Sequence, residues 1–298
     1  PQSPSKGIPG NTLPMNVGSM FNRGIEFAVT TYNINTDKFS WTTNFNISYL
    51  KNEVTSLADG VPFLVGVTQL ETTNRTLVGY PIANIWGVET AGVDPATGRR
   101  IFIRRNADGT TSRVYYNHQS GQPTSGWRNE DGTVSRAIDI ANDGVVLGSP
   151  IPKYFGGMDN NLTYGNFDLS IGLTFALDFV VYNGSKAGLR DQRNWQNEAY
   201  VATNHWRQPG DVTDIPRPVW GDNISNGSSM VQSQNVEKGD FLKVRNLSLG
   251  YTLRNEFMRN AGVTSARLYM QMFNAYVFTG YSGADPEISS FGDSNLVV

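Results

Sequence analysis

Apolar and polar side chains alternate strictly over two unusually long stretches of the chain. From Phe39 it reads FSWTTNFNISYL, which sets Phe39, Trp41, Thr43, Phe45, Ile47 and Tyr49 against Ser40, Thr42, Asn44, Asn46 and Ser48. From Phe167 it reads FDLSIGLTFALDF, with Phe167, Leu169, Ile171, Leu173, Phe175, Leu177 and Phe179 opposed to Asp168, Ser170, Gly172, Thr174, Ala176 and Asp178. A helix, at about 100° per residue, would smear both sets around its axis, so these are strands with one apolar and one polar face. Globular strands run about 5 to 6 residues, whereas a tilted strand crossing a bilayer needs about 9 to 11. Both runs are of the longer kind. Their polar faces are small, hydroxylic and amidic, as the wall of a wet or plugged lumen requires, and the aromatics near their ends (Trp41 and Tyr49, Phe167 and Phe179) fit interfacial girdles.

The same reading gives about six strands in the manner of a transmembrane barrel. One lies over 22–33, where Ile25, Phe27 and Val29 alternate with Glu26, Ala28 and Thr30, and a turn at Asn35-Thr36-Asp37-Lys38 joins it to the strand from Phe39. Another over 153–164 turns at Gly165-Asn166 into the strand from Phe167, and two more span 240–253 and 266–278. In the strand over 240–253, Lys243 and Arg245 share parity with Leu247, Leu249 and Tyr251, a conflict that a bulge or an end projecting above the bilayer would resolve. The connections alternate: short at 35–38, 165–166 and 254–265, very long at 58–152 and 183–239. Structureless loops beyond about 12 to 15 residues are uncommon in compact domains, but short turns on one side and long loops on the other are what an outer-membrane barrel has. Small strands are expected inside the long loops, over 99–105 and 111–116.

Composition narrows the choice. Charged residues are 17% of the 298, against a usual share of about 25%, and aromatics are 11%. No stretch approaches the roughly 18 consecutive apolar residues of a transmembrane helix, so a membrane role falls to strands. The net charge of −2 gives no bulk attraction to nucleic acid, and the absence of Cys excludes disulfides and thiolate metal sites. The chain opens without an initiator Met or a leader and stops on the apolar Leu296-Val297-Val298, so both natural ends are expected outside it.

Several segments resemble the C-terminal part of SusC/RagA-type TonB-dependent transporters of the Bacteroidetes. They are Asn16-Val17-Gly18 with Asn22-Arg23-Gly24-Ile25-Glu26, Phe39-Ser40-Trp41 with Asn44 and Asn52-Glu53-Val54, Gly79-Tyr80-Pro81-Ile82 with Gly92-Val93-Asp94, and Gly148-Ser149-Pro150 with Pro152-Lys153-Tyr154. The most specific are Gly239, Asp240 and Phe241 running through Asn246 to Tyr251, and Asn274 leading to Tyr281, Asp285, Pro286 and Glu287. The resemblance spans nearly the whole chain and rests on order and spacing together. It implies an all-β fold, part of one large antiparallel transmembrane β-barrel of about 22 strands with a plugged lumen, residues 1–298 all belonging to it and 58–152 and 183–239 forming extracellular loops. The plug and the last strand are expected to lie outside this chain. By the same resemblance the function is outer-membrane import of oligomeric nutrients, glycans or peptides. The partners would be a SusD-like surface lipoprotein as lid, TonB acting through the plug, the oligosaccharide or peptide ligand, and outer-membrane lipid, with no nucleic acid. The alternative from another class is a soluble β-rich carbohydrate-binding or adhesin module. Membrane partition separates the two.

Candidate chemistry is sparse. Trp195, Trp206 and Trp220, with Arg207 and Arg217 nearby, could stack on sugars or peptide side chains and fix polar groups; the competing reading is the small core a large loop needs. Residues Asn129, Glu130, Asp131, Asp139, Asn142 and Asp143 are oxygen-rich, but a calcium site needs 6 to 8 converging oxygens, and solvated turns fit the broken spacing better. No cofactor is expected. Arg99, Arg100, Arg104 and Arg105, flanked by Asp94 and Asp108, read as a solvated hairpin. No catalytic residue is assigned: His118 and His205 lie in separate loops, and Asp285 and Glu287, two apart on an extended chain, cannot straddle a substrate.

Overall fold

The computed structural model describes residues 18–57, 63–65, 73–119, 125–192, 204–226, 229–254, 259–260 and 262–287. Six long strands form one antiparallel sheet in chain order: β1 (Gly18–Asn35), β2 (Phe39–Leu57), β3 (Tyr154–Tyr164), β4 (Phe167–Leu177), β5 (Phe241–Leu253) and β6 (Ala266–Thr279). Strand lengths of 11 to 19 residues are in the bilayer-crossing class.

Register carries the two-residue alternation across all six strands. One rung runs Val29, Phe45, Met158, Leu173, Val244, Tyr276, so the apolar parities of every strand fall on a single face. The parity conflict at Lys243 is resolved by a bulge: Val244 and Asn246 both pair with β4 and β6, and Arg245 is the extra residue between them. Asn274, at φ +49°, sits in the matching irregularity of β6. Lys243 consequently shares the polar face with Thr174 and stands apart from Leu247.

Aromatic rungs bound the apolar face at both ends. Phe39, Tyr164, Phe167 and Tyr251 follow one another near the short turns, with ring centroids 6.5 Å apart for Phe39 and Tyr164 and 4.6 Å for Phe167 and Tyr251. Near the long loops Tyr49 meets Tyr154 at 5.3 Å. The ten residue steps from Phe39 to Tyr49 correspond to about 33 Å along a strand, and about 25 Å across a barrel wall tilted by about 40°, the height of a transmembrane apolar band. Among the described residues no second sheet covers this face: Trp41, Phe45, Leu169, Leu173 and Phe175 belong to none of the buried clusters, and Phe27, Leu249, Met270 and Phe278 are exposed. Phe179, expected at a girdle, departs from that reading. The strand ends at Leu177, Asp178 turns the chain at φ +62°, and Phe179 swings into a buried cluster with Ala176, Val181, Phe241 and Tyr281.

The buried cores lie instead among the loops. The first long connection folds into two four-stranded sheets, one of Phe63–Val65, Asn74–Leu77, Asn84–Val88 and Gly144–Gly148, the other of Thr90–Val93, Arg100–Arg105, Thr111–Asn117 and Gly126–Asn129. The strands expected over 99–105 and 111–116 are the central hairpin of the second, with Phe102 opposite Val114. Phe102, Val114, Val88, Trp127 and Ile138 pack together there. In the second connection Val180–Tyr182 pairs with Val236–Lys238, and a short helix, Gly184–Leu189, starts where the Asn183 side chain accepts the Lys186 amide.

Candidate functional site

The motif residues at the start of β5 and after β6 meet at the junction of wall and loops. Gly239 is there because the Phe179 ring occupies the space of a side chain: a Cβ would come within 2.3 Å of it. Asp240 accepts the Asp178 amide at 2.7 Å, and its carbonyl accepts the Thr279 hydroxyl at 2.8 Å, fastening the ends of β4 and β6 to that of β5. Phe241 packs edge to face on Phe179 with centroids 6.4 Å apart. Two positions on, the bulge-shifted Lys243 turns its ammonium to Asp285 at 2.8 Å and also bonds Glu287. Its side chain is 7% exposed and Asp285's 22%. Pro286 is buried between these two carboxylates.

A second knot lies beside the first. Glu237 accepts Lys186 at 2.8 Å and both the amide and the hydroxyl of Ser282 at 2.8 Å, while Asn183 reaches the same hydroxyl at 3.1 Å. Burial opposes the charge of Glu237, but Lys186 and Ser282 outweigh it and hold the carboxyl below its usual range. Tyr281 is buried with its hydroxyl unpartnered among the described residues, and burial, reinforced by Glu237, pushes it up to about 12. The chemistry here is fastening: every carboxylate is engaged by a cation or a backbone donor, and Asp285 and Glu287 share one lysine. Sequence reasoning missed the roles of Lys243, Glu237 and Asn183. Only the parity conflict at Lys243 pointed to any of them.

The candidate loop residues differ in their surroundings, and among the described ones none belongs to a buried cluster. Trp206 donates its indole N–H to the Pro95 carbonyl at 2.8 Å and lies over Gly98, where a Cβ would come within 2.4 Å of the ring. Arg207 is exposed, its amide bonded to Asp211, and Trp220 is 47% exposed. Trp195 lies outside the described residues. Of the four arginines read as a solvated hairpin, Arg100 departs from that expectation, while Arg99, Arg104 and Arg105 are half-buried. Arg100 is 2% exposed and donates to the Ser225 carbonyl at 3.1 Å and to the Asp214 carbonyl. Burial, aided by Arg190 and opposed by Asp214, lowers its pKa to about 9. Arg105 pairs with Glu89 at 2.7 Å, and Arg104 bonds Ser135.

The oxygen-rich segment is committed to protein donors. Asp131 caps its own turn through Thr133, and Asp139 caps the helical turn Ile140–Asp143 through Ala141. Asp143 takes both Arg136 nitrogens at 2.7 Å and the amides of Arg105 and Asp139. On the polar wall face Arg267 of β6 reaches Asp168 of β4 over β5. The bridge crosses at Gly250, where a Cβ would come within 2.6 Å of both side chains.

No protein-family model matches the chain. It is 28% identical over 284 residues to TonB-dependent receptor P3 of Formosa agariphila, covering 94% of this chain and 26% of that protein. It is 25% identical over 296 residues to TonB-dependent receptor SusC of Bacteroides thetaiotaomicron, covering 95% of this chain and 26% of SusC. Among solved structures, the RagAB peptide transporter aligns with a TM-score of 0.71 at 20% identity, over 96% of this chain and 28% of that chain. The RagAB importer in its open-open state aligns at 0.66 over 95% of this chain and 27% of that one. The chain thus spans about a quarter of the length of the relatives it matches, is similar to SusC/RagA-type TonB-dependent receptors along nearly all of itself, and has the fold of an unclosed part of their β-barrel.

Proposed function

We propose that this chain is part of the wall and outer loops of a TonB-dependent outer-membrane importer of oligomeric nutrients, the SusC-like member of a two-component complex. The observation that carries the reading is the uncovered apolar face between two aromatic rungs, opposite a face of Ser, Thr and Asn. In water such a surface would aggregate; against hydrocarbon it is the face a barrel needs. The alternative of a soluble adhesin module finds, among the described residues, no second layer to bury that face. The segments 58–152 and 183–239 are then extracellular loops, stiffened by their own sheets and cores. Oriented this way, they rise from the rim toward a SusD-like lipoprotein, and TonB would act through a plug. The ligand is a glycan or a peptide. Trp195, Trp206, Arg207 and Trp220 are the loop residues offered to it, Trp206 held in place on Gly98. Gly239, Asp240, Phe241, Tyr281, Asp285, Pro286 and Glu287 fasten the loops to the wall, and Asn274 shapes the matching irregularity of β6.

The test is to isolate the full-length protein from outer membranes in mild detergent and identify what comes with it. A lipoprotein partner and bound oligosaccharides or oligopeptides, identified by mass spectrometry, are expected. Recovery as a monomer in the soluble fraction would overturn the reading.

A further inference from the structure

The membrane-facing side of β1 and β2 ends in charge near the long loops. Phe21 and Arg23 continue the parity of Ile25, Phe27 and Val29, and Lys51 and Glu53 continue that of Tyr49. Arg23 stands opposite Lys51, one rung beyond the rung of Ile25, Tyr49 and Tyr154. That places both cations about 7 Å further along the strands, just past the aromatic boundary. The Arg23 guanidinium lies 4.6 Å from the centroid of Phe21, and the Lys51 ammonium lies 5.6 Å from the same ring. Lys51 also pairs with Glu53 at 2.8 Å, whereas Arg23 meets no carboxylate among the described residues. The group therefore carries one net positive charge.

A rung beyond an aromatic girdle lies at the level of lipid headgroups, where long basic side chains lay their stems on apolar surface and offer their heads to anions. A guanidinium matches phosphate oxygens in pairs, and an ammonium serves as a point charge beside it. We propose that Arg23 and Lys51 hold a phosphate of a phosphorylated glycolipid in the outer leaflet, with Phe21 fixing the spacing of the two cations. Glu53 keeps Lys51 on this side of the sheet and limits the site to one anionic group. The inference rests on the import reading for its orientation, because the long loops must be outside the cell for this rung to face the outer leaflet.

The experiment uses the full-length importer in mild detergent and native mass spectrometry with added lipid A. Wild type is compared with the Arg23→Gln/Lys51→Gln double variant and with Arg23→Lys. The double variant should retain roughly fivefold less lipid A or worse, Arg23→Lys should retain an intermediate amount, and dephosphorylated lipid A should not distinguish the three. Equal retention by wild type and double variant would overturn the proposal. So would displacement of lipid A by millimolar inorganic phosphate, which would make this a site for free anions. Cofractionation of all three proteins with outer membranes is read separately, so a failure of the lipid site is distinguishable from a failure of the import reading.

Discussion

Lys243 has sequence parity with Leu247, Leu249 and Tyr251, yet its ammonium ends among the carboxylates of Asp285 and Glu287. The conflict was readable as a conflict; its resolution needed the bulge at Arg245 and partners more than forty residues away. Removing the cation leaves two carboxylates at a rim with little water. Lys243→Met should cost about 1–3 kcal/mol, below a fully buried pair because Glu287 is partly exposed, and should expose the segment after β6 to protease. Thermal unfolding and limited proteolysis of the detergent-solubilised protein measure both effects, and an unchanged melting temperature with unchanged cleavage would exclude the fastening role. Asp143 gives a second test, by pH. Burial opposes its charge, but the Arg136 bonds and the amides of Asp139 and Arg105 prevail, so its folded pKa lies below the ordinary aspartate value of 3.8. A depressed carboxyl stabilises fully above its unfolded pKa, and this stabilisation is lost as pH falls from about 3.8 through the folded value. Amide exchange over 84–148 should therefore quicken as pH falls through that window, after correction for intrinsic rates, and Asp143→Asn should remove most of that dependence. Arg100 shows the limit of residue-scale reading. A run of arginines in a sequence looks solvated, and only tertiary structure brings Ser225 and Asp214 against one of them.

At the scale of elements, the wall strands were the most legible part of the molecule. Alternation over more than ten residues is a local property, and the paired rungs simply continue it across the sheet. Strand ends were less legible: β4 stops two residues before its hydrophobic pattern does, because Asp178 redirects the chain and Phe179 finds a better environment in the rim core. Folding within the loops was visible only as a hairpin: the strands added on either side of it are short, and the other small sheet brings Gly144–Gly148 beside Asn84–Val88 from a distant part of the connection. Close strand approach offers a test at this scale. A Cβ on Gly156 would come within 2.2 Å of the Asn46 carbonyl, a backbone atom that cannot yield without shifting β2 against β3. Gly156→Ala should destabilise the wall by about 1–3 kcal/mol. Gly250→Ala meets only the ends of Asp168 and Arg267 and should cost less. Urea unfolding of the full-length protein from vesicles compares the two, and the reverse order would refute the assignment of the tight contact.

For the molecule as a whole, the arrangement inverts that of a soluble domain. Among the described residues its buried cores sit in the loops and at the rim, while its longest hydrophobic surface has nothing packed against it. The candidate ligand residues were the least legible, because recognition by loops depends on which side chains remain free of the loop packing; Trp206 is half-buried, lying on Gly98 and bonded to Pro95, whereas Trp220 is exposed. An arginine at the middle of the outward face, as in Leu173→Arg, should cost about 2–4 kcal/mol and reduce assembly into vesicles, whereas Ser170→Arg on the polar face should assemble normally. The most direct test of the wall uses the absence of cysteine from the chain. Nitroxide labels placed singly from 43 to 49 in β2 and from 169 to 175 in β4 of the full-length protein in vesicles should alternate with a period of two. Collision with oxygen should dominate at Phe45, Ile47, Leu169, Leu173 and Phe175, and collision with a water-soluble nickel chelate or protein contact at Asn44, Asn46 and Ser170. Equal nickel accessibility on both faces, or burial of Phe45 and Leu173 away from oxygen and nickel alike, would contradict a wall with lipid on one side.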